Sequence, residues 1–254
     1  MYKVLLTFLL LLSIQVSAQK TERSQRLGDN IFNFQFHYTY VLPEGDLTER
    51  FGNFHNLGFG ILYKSHKKWI LAADASYQFG SDVKDLNFLY NLTNSTGVVM
   101  NNSGVAANYS IGMRGFSVFG KVGYLFPLTA RNPNSGIIVL AGAGIYYHKI
   151  NIATTNNDIP TLTEDLKKGY DRLSMGPALT QFVGYSYHSP NRFYNFFIGF
   201  DFMQAFTQSV REYNYETQLP DTEKRTDITV GGRIGWMIPI YLRTKNKDNE
   251  YEYR

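Results

Sequence analysis

Five histidines and a thin scatter of charges within apolar alternation are the side chains that could do chemistry in this chain. His37, His55, His66, His148 and His188 are dispersed, and no two share the i, i+4 spacing of a helical metal site. The cysteine count is 0, which excludes thiolate ligation, thiol nucleophiles and disulfides. His188 and Ser189 are adjacent, and His148 is followed by Lys149 and Ile150. A serine hydrolase needs a base within hydrogen-bond reach of its nucleophile, and no pair advertises one. The glycines form no phosphate-cradling loop, because most lie inside alternating segments (Gly58, Gly60, Gly142, Gly144, Gly231, Gly232), where they relieve crowding or allow bends. The reading is therefore non-enzymatic, with no catalytic, cofactor or metal set. What remains is Asp74, Arg114, Lys121, Asp201 and Arg233, with His37, which the alternation assigns to the polar side of strands. Such groups could line a selective pore or pack as a polar network in which each charge finds a partner. The interior of an eight-stranded barrel is just wide enough for side chains to fill, so the network is the expectation.

The elements that would position these groups are strands. From Phe32 to Leu42 every even position is apolar, with Asn33, Gln35, His37 and Thr39 between, and a period of two puts the two sets on opposite faces. The pattern recurs around Leu57–Tyr63, Trp69–Phe79, Phe116–Tyr124, Ile137–Tyr147, Phe196–Phe202 and Ile228–Ile238. A weaker segment near Val183–Tyr187, interrupted by Gln181 and Pro177, suggests a bulge. Connections alternate in length. Short links cover 65–68, 127–135 and 188–192, and long ones cover 43–54, 80–108, 151–171 and 207–225. Short periplasmic turns and long extracellular loops are the habit of outer-membrane barrels. The fold class is all-β: a closed antiparallel transmembrane β-barrel of about eight strands.

Alternation also fits a soluble lipocalin-like barrel with its apolar side inward. The polar face argues against it, being mainly Gly, Ser, Thr, Asn and Gln rather than the Lys and Glu of a wet exterior. Aromatics make up 16% of the chain, and they cluster at the strand ends. Tyr63, Trp69, Tyr124, Phe126, Tyr185, Tyr187, Phe193 and Tyr241 fall at the short-turn ends, and Tyr38, Tyr40, Tyr77, Phe79 and Tyr147 toward the loops. Two aromatic girdles about an aliphatic band match two bilayer interfaces.

Residues 1–18 read as a cleavable secretory signal: Lys3, an apolar run from Val4 to Leu12, then Val16-Ser17-Ala18. Residues 19–29 would be an N-terminal periplasmic segment, 30–242 the barrel, and 243–254 a charged periplasmic tail. A net charge of +4 from scattered Lys and Arg carries no nucleic-acid footprint.

On these patterns the chain resembles the small eight-stranded outer-membrane β-barrel proteins of the Bacteroidota. The stretches from Gly45 to Gly52, Asn132 to Gly136 and Gly169 to Leu173 look like features of that group, with no activity attached to them. Many such barrels end on an aromatic residue of the last strand. Here the tail from Arg243 to Arg254 follows Tyr241, so an assembly signal would be internal, at Trp236 to Tyr241. Enzymatic precedent among these barrels is lipid A deacylation by a His and a Ser two apart on an outward face, a spacing this chain lacks. The resemblance implies an exported, porin-like protein of the bacterial outer membrane with lipid as its first partner. Loops 80–108 and 151–171 and the tail are the surfaces offered to other outer-membrane or periplasmic proteins. In loop 80–108, Asp85 to Tyr90 is apolar enough to pack over the barrel mouth or meet a partner, and Thr163 to Lys168 reads as one capped helical turn. The role expected is structural, or a subunit of a secretion or assembly complex. The alternatives are a lipid-modifying enzyme, a carrier, or a narrow pore.

Overall fold

A computed structural model describes residues 29–85, 87–94, 98–154, 159, 162–189 and 194–242. The expected signal segment 1–18, most of the segment 19–29, Phe193 and the tail 243–254 lie outside the described residues. Eight strands pair in sequence order and close on themselves: β1 (Asn30–Gly45), β2 (Phe54–Lys64), β3 (Trp69–Gly80), β4 (Tyr109–Pro127), β5 (Gly136–Thr154), β6 (Ser174–His188), β7 (Asn195–Ser209) and β8 (Lys224–Leu242). Every pairing is antiparallel, and β1 meets β8 from Asn30↔Leu242 to Gly45↔Asp227. The wall therefore has no free sheet edge. In hydrocarbon each orphan backbone group would cost on the order of several kcal/mol.

The period-two pattern is realised in burial. Along β1 the odd positions Ile31, Asn33, Gln35, His37, Thr39 and Val41 are buried, while Phe34, Phe36, Tyr38, Tyr40 and Leu42 face out. The outer wall carries large apolar side chains on every strand, with Phe59, Trp69, Leu71 and Phe200 each more than 60% exposed. No water-soluble barrel could present so continuous an apolar belt, so hydrocarbon is its solvent. This is a membrane-spanning β-barrel.

The weakest segment of the sequence is an unbroken strand. β6 keeps one register with β5 from Gly136↔Ser186 to His148↔Ser174, so the suggested bulge is absent. The interruption is in hydrogen bonding. On the β7 side the ladder skips Gly176 and Pro177, since proline has no N–H to donate. Two short helices lie in the long loops, α1 (Leu47–Arg50) and α2 (Glu164–Lys167), with a 3₁₀ turn at Asn87–Leu92. The helical turn foreseen at Thr163–Lys168 is α2, but the Thr163 side chain does not cap it.

Candidate functional site

The barrel interior gathers the chain's buried polar groups, and it is built in layers from the short-turn end upward. At the lower mouth Lys64 donates to the Asp29 carbonyl at 2.8 Å and to Asn134 Oδ1 at 2.9 Å, and His188 meets Asn33 at 3.2 Å. Above them lies an apolar layer of Leu62, Ile70, Leu125, Ile138, Leu140, Phe182, Phe197 and Met237. The Phe182 and Phe197 rings meet edge to face at 5.7 Å across its centre.

The third layer is charged. Lys121 Nζ on β4 lies 2.7 Å from Asp74 Oδ1 on β3. Arg233 on β8 donates to Asp201 on β7 at 2.8 Å and to the Thr39 hydroxyl at 3.3 Å, with its guanidinium over the Phe182 ring at 5.9 Å. His37 bonds Ser76 Oγ at 3.2 Å, across the intervening strand β2. That crossing depends on Gly58, where a Cβ would come within 2.4 Å of His37 Nε2 and 2.6 Å of Ser76 Oγ. Asn56, Gln78, Tyr146 and Asp201 border a cavity of about 20 Å³, the size of one water molecule. A second cavity, beside Asp74, Lys121 and Phe182, measures about 10 Å³. Neither is a channel.

Five of the six residues assigned to the interior from sequence meet in this layer: His37, Asp74, Lys121, Asp201 and Arg233. Arg114 does not. The inward set on β4 is odd-numbered (Met113, Ser117, Phe119, Lys121), so Arg114 shares the outward face of Phe116 and Val118. Its Nη1 donates to the Met113 carbonyl at 2.8 Å.

Above the charged layer the upper lumen is apolar again. Val41, Phe54, Met113, Phe119, Tyr146, Ile150 and Met203 from the wall pack with Leu47, Phe51, Val83, Phe88, Leu89, Leu162 and Tyr170 from the long loops. Of the stretch Asp85 to Tyr90, Phe88 and Leu89 are buried over the mouth here, while Tyr90 stays out. Set into this region is a trio that the sequence spacing hid. His148 Nε2 lies 2.9 Å from Asp227 Oδ2, to which the Thr207 hydroxyl donates at 2.6 Å. The residues are scattered over β5, β7 and β8, so only strand pairing brings them together. Hydrolytic chemistry would need the hydroxyl on the imidazole, whereas here it sits on the carboxylate. All three side chains are buried, and Phe51 packs edge-on over the imidazole at 5.6 Å.

Ion pairs then tie all four long loops into one cap. Arg50 of α1 donates to Ser174 Oγ at 3.0 Å and reaches Asp221 at 3.6 Å, while Arg225 holds Asp221 at 3.0 Å. Arg172 pairs with Asp85 at 2.8 Å and with Glu216. Arg211 grips Asp171 with two nitrogens, the Nε at 2.9 Å. Burial, reinforced by the charges of Arg225 and Arg172, brings the Arg50 guanidinium down to about 10. For Asp221 burial acts upward, but the Arg225 hydrogen bond and the nearby guanidinium charges outweigh it and hold the carboxyl below the usual range.

No protein-family model matches the chain, and neither does any curated protein. Solved structures similar to it include Ail, the attachment invasion locus protein of Yersinia pestis, crystallised with the heparin analogue sucrose octasulfate (9% identity, 82% of this chain and 99% of that one, TM-score 0.41). Neisserial surface protein A is similar at 10% identity over 81% of this chain and 96% of that one, with TM-score 0.42. The outer-membrane protein AlkL, solved in DMPC bilayers, shows 13% identity over 91% and 100%, with TM-score 0.39. The assignment of the fold rests on the strand pairing and the apolar exterior described above.

Proposed function

We propose that this chain is an exported, non-conducting and non-enzymatic outer-membrane barrel that serves as a structural element or as a subunit of a larger outer-membrane assembly. The observation that carries the reading is the sealed lumen: a charged layer closed below by Phe182, Phe197 and their neighbours and above by a loop-fed apolar core. In this reading the six-residue interior set of the sequence reduces to five, and its role is to fill the barrel and fix its register. The His148–Asp227–Thr207 trio belongs to the same packing, because no substrate reaches it. The ion-paired cap holds the loops in one arrangement, and it leaves Tyr90, Val105 and Leu219 exposed at its surface, 60% or more each. Apolar residues held on a rigid support suit contact with another protein better than gating does.

Two measurements test this. Planar-bilayer recordings of the folded chain should show no steady conductance, and a stable open level would overturn the sealed-lumen reading. Extraction from native membranes in mild detergent should yield the chain in a defined larger species, whereas a consistently solitary monomer would leave only the structural role.

A further inference from the structure

We propose that Arg114 and Lys149 form a cradle on the outer wall for the phosphate of an anionic lipid in the outer leaflet. The inference rests on the outer-membrane reading above, which places the long loops outside the cell.

Arg114 and Lys149 are direct register partners on β4 and β5. Both occupy outward positions, Arg114 in line with Phe116 and Val118, and Lys149 in line with Ile145 and Tyr147. The row beneath them is Phe116↔Tyr147. On β4 the outward apolar run extends from Phe126 up to Phe116, and on β5 from Ile137 up to Tyr147. Each run covers ten residue steps. At about 3.4 Å per residue and a tilt of about 40°, that is roughly 26 Å of height, the thickness of a barrel's apolar band. The two cations therefore stand one step above the hydrocarbon, at headgroup level. They also continue a ring of rim aromatics, since the row Tyr40, His55, Phe79, Arg114 runs across β1 to β4.

The local chemistry fits a phosphate. The next outward pair upward is Gly112↔Asn151. Arg114 Nη1 lies 3.4 Å from where a Gly112 Cβ would stand, so the guanidinium turns up toward the headgroups past a residue that has no side chain and packs against the Gly80 carbonyl. Arg114 is in no ion pair among the described residues, and its one hydrogen bond is to a backbone carbonyl. Lys149 has a carboxylate nearby, Asp171 at 3.8 Å, but Arg211 already grips that group with two nitrogens. Counting Arg114, Lys149, Arg211 and Asp171, the rim here is net positive. An anion with several oxygens, a short step above an acyl-chain surface, would complete it.

The test uses the full chain folded in neutral detergent micelles, with bound lipid counted by native mass spectrometry. The probes are phosphatidic acid, phosphatidylcholine and inorganic phosphate. The wild type should retain phosphatidic acid over phosphatidylcholine. The pair Arg114→Gln with Lys149→Gln should weaken retention of phosphatidic acid about tenfold. Lys149→Arg should keep it, and Lys67→Gln, in a short turn at the opposite end, should leave it unchanged. Folding of each variant is read from its heat-dependent gel mobility, and the single change Lys149→Gln, with an intermediate loss, serves if the pair fails to fold. Equal retention by variant and wild type would overturn the proposal, as would displacement of the lipid by millimolar inorganic phosphate. A wild-type chain that never enters micelles as a folded barrel would instead overturn the membrane reading on which this one stands.

Discussion

Lys121 and Asp74 sit 2.7 Å apart on neighbouring strands, and neither side chain is more than 2% exposed. The direct register partners are Ala72↔Lys121 and Asp74↔Phe119, so the contact is diagonal and forms only when β3 and β4 are correctly aligned. A slip of one residue would turn one of the two charges into the lipid and leave the other buried without its partner. The pair thus links a sequence pattern to a unique barrel register, at the cost of burying two charges.

That cost defines the first prediction. Asp74→Ala leaves Lys121 buried and unpaired, and should destabilise the folded barrel by about 3–5 kcal/mol. Asp74→Leu combined with Lys121→Met removes both charges and should recover most of that loss. Reversible urea unfolding in vesicles measures both. A double variant no better than the single would show that the remaining members of the layer depend on this pair.

Glycines on one sheet but opposite faces should respond in opposite ways. Gly58→Ala thrusts a methyl between His37 and Ser76, breaking the bond that crosses β2, and should cost about 1–3 kcal/mol. Gly232 faces lipid with nothing within 4 Å of a Cβ, so Gly232→Ala should be neutral or slightly stabilising. The same unfolding assay separates them, and similar losses at both positions would contradict the facing deduced from strand parity.

Strand number, turn alternation and facing were legible because period two is a local signal, carried by runs such as Phe32 to Leu42. Five of the six interior charges and polar groups followed from the same parity. Arg114 is the exception: its charge suggests the interior, but its position in step with Phe116 puts it on the outer face. The lower apolar layer was hidden because Ile70, Leu125, Ile138 and Phe197 occupy inward positions that the polar average of that face obscured. The His148–Asp227–Thr207 trio could not be read at all, since 79 residues separate its histidine and carboxylate and no local spacing marks them.

The cap should loosen in acid. Asp221 has a lowered folded-state pKa, so its stabilising contribution is complete above the ordinary aspartate value of 3.8 and is lost as pH falls below it toward the folded-state value. Protonation would release Arg50 and Arg225 from their shared carboxylate. Limited proteolysis by an acid-active protease should cut the 210–223 loop faster as pH drops from 5 to 3, while the strands stay protected. Asp221→Asn should be cut at the fast rate throughout, and a variant cut at the same rate as the wild type at every pH would remove Asp221 as the latch.

The last prediction concerns the floor of the lumen. Phe182→Ala and Phe197→Ala remove the two rings that meet at 5.7 Å, and each should cost about 3–5 kcal/mol. The loss at Phe182 should be the larger of the two, because Arg233 then also loses the aromatic face beneath its guanidinium. Conductance should nevertheless stay at baseline. Asp74, Lys121, Asp201 and Arg233 still fill the layer above, and the core under the cap closes the upper half. Bilayer recordings of the double variant would decide whether the seal is layered. A steady current after loss of this one floor would mean that the charged layer passes ions once uncovered.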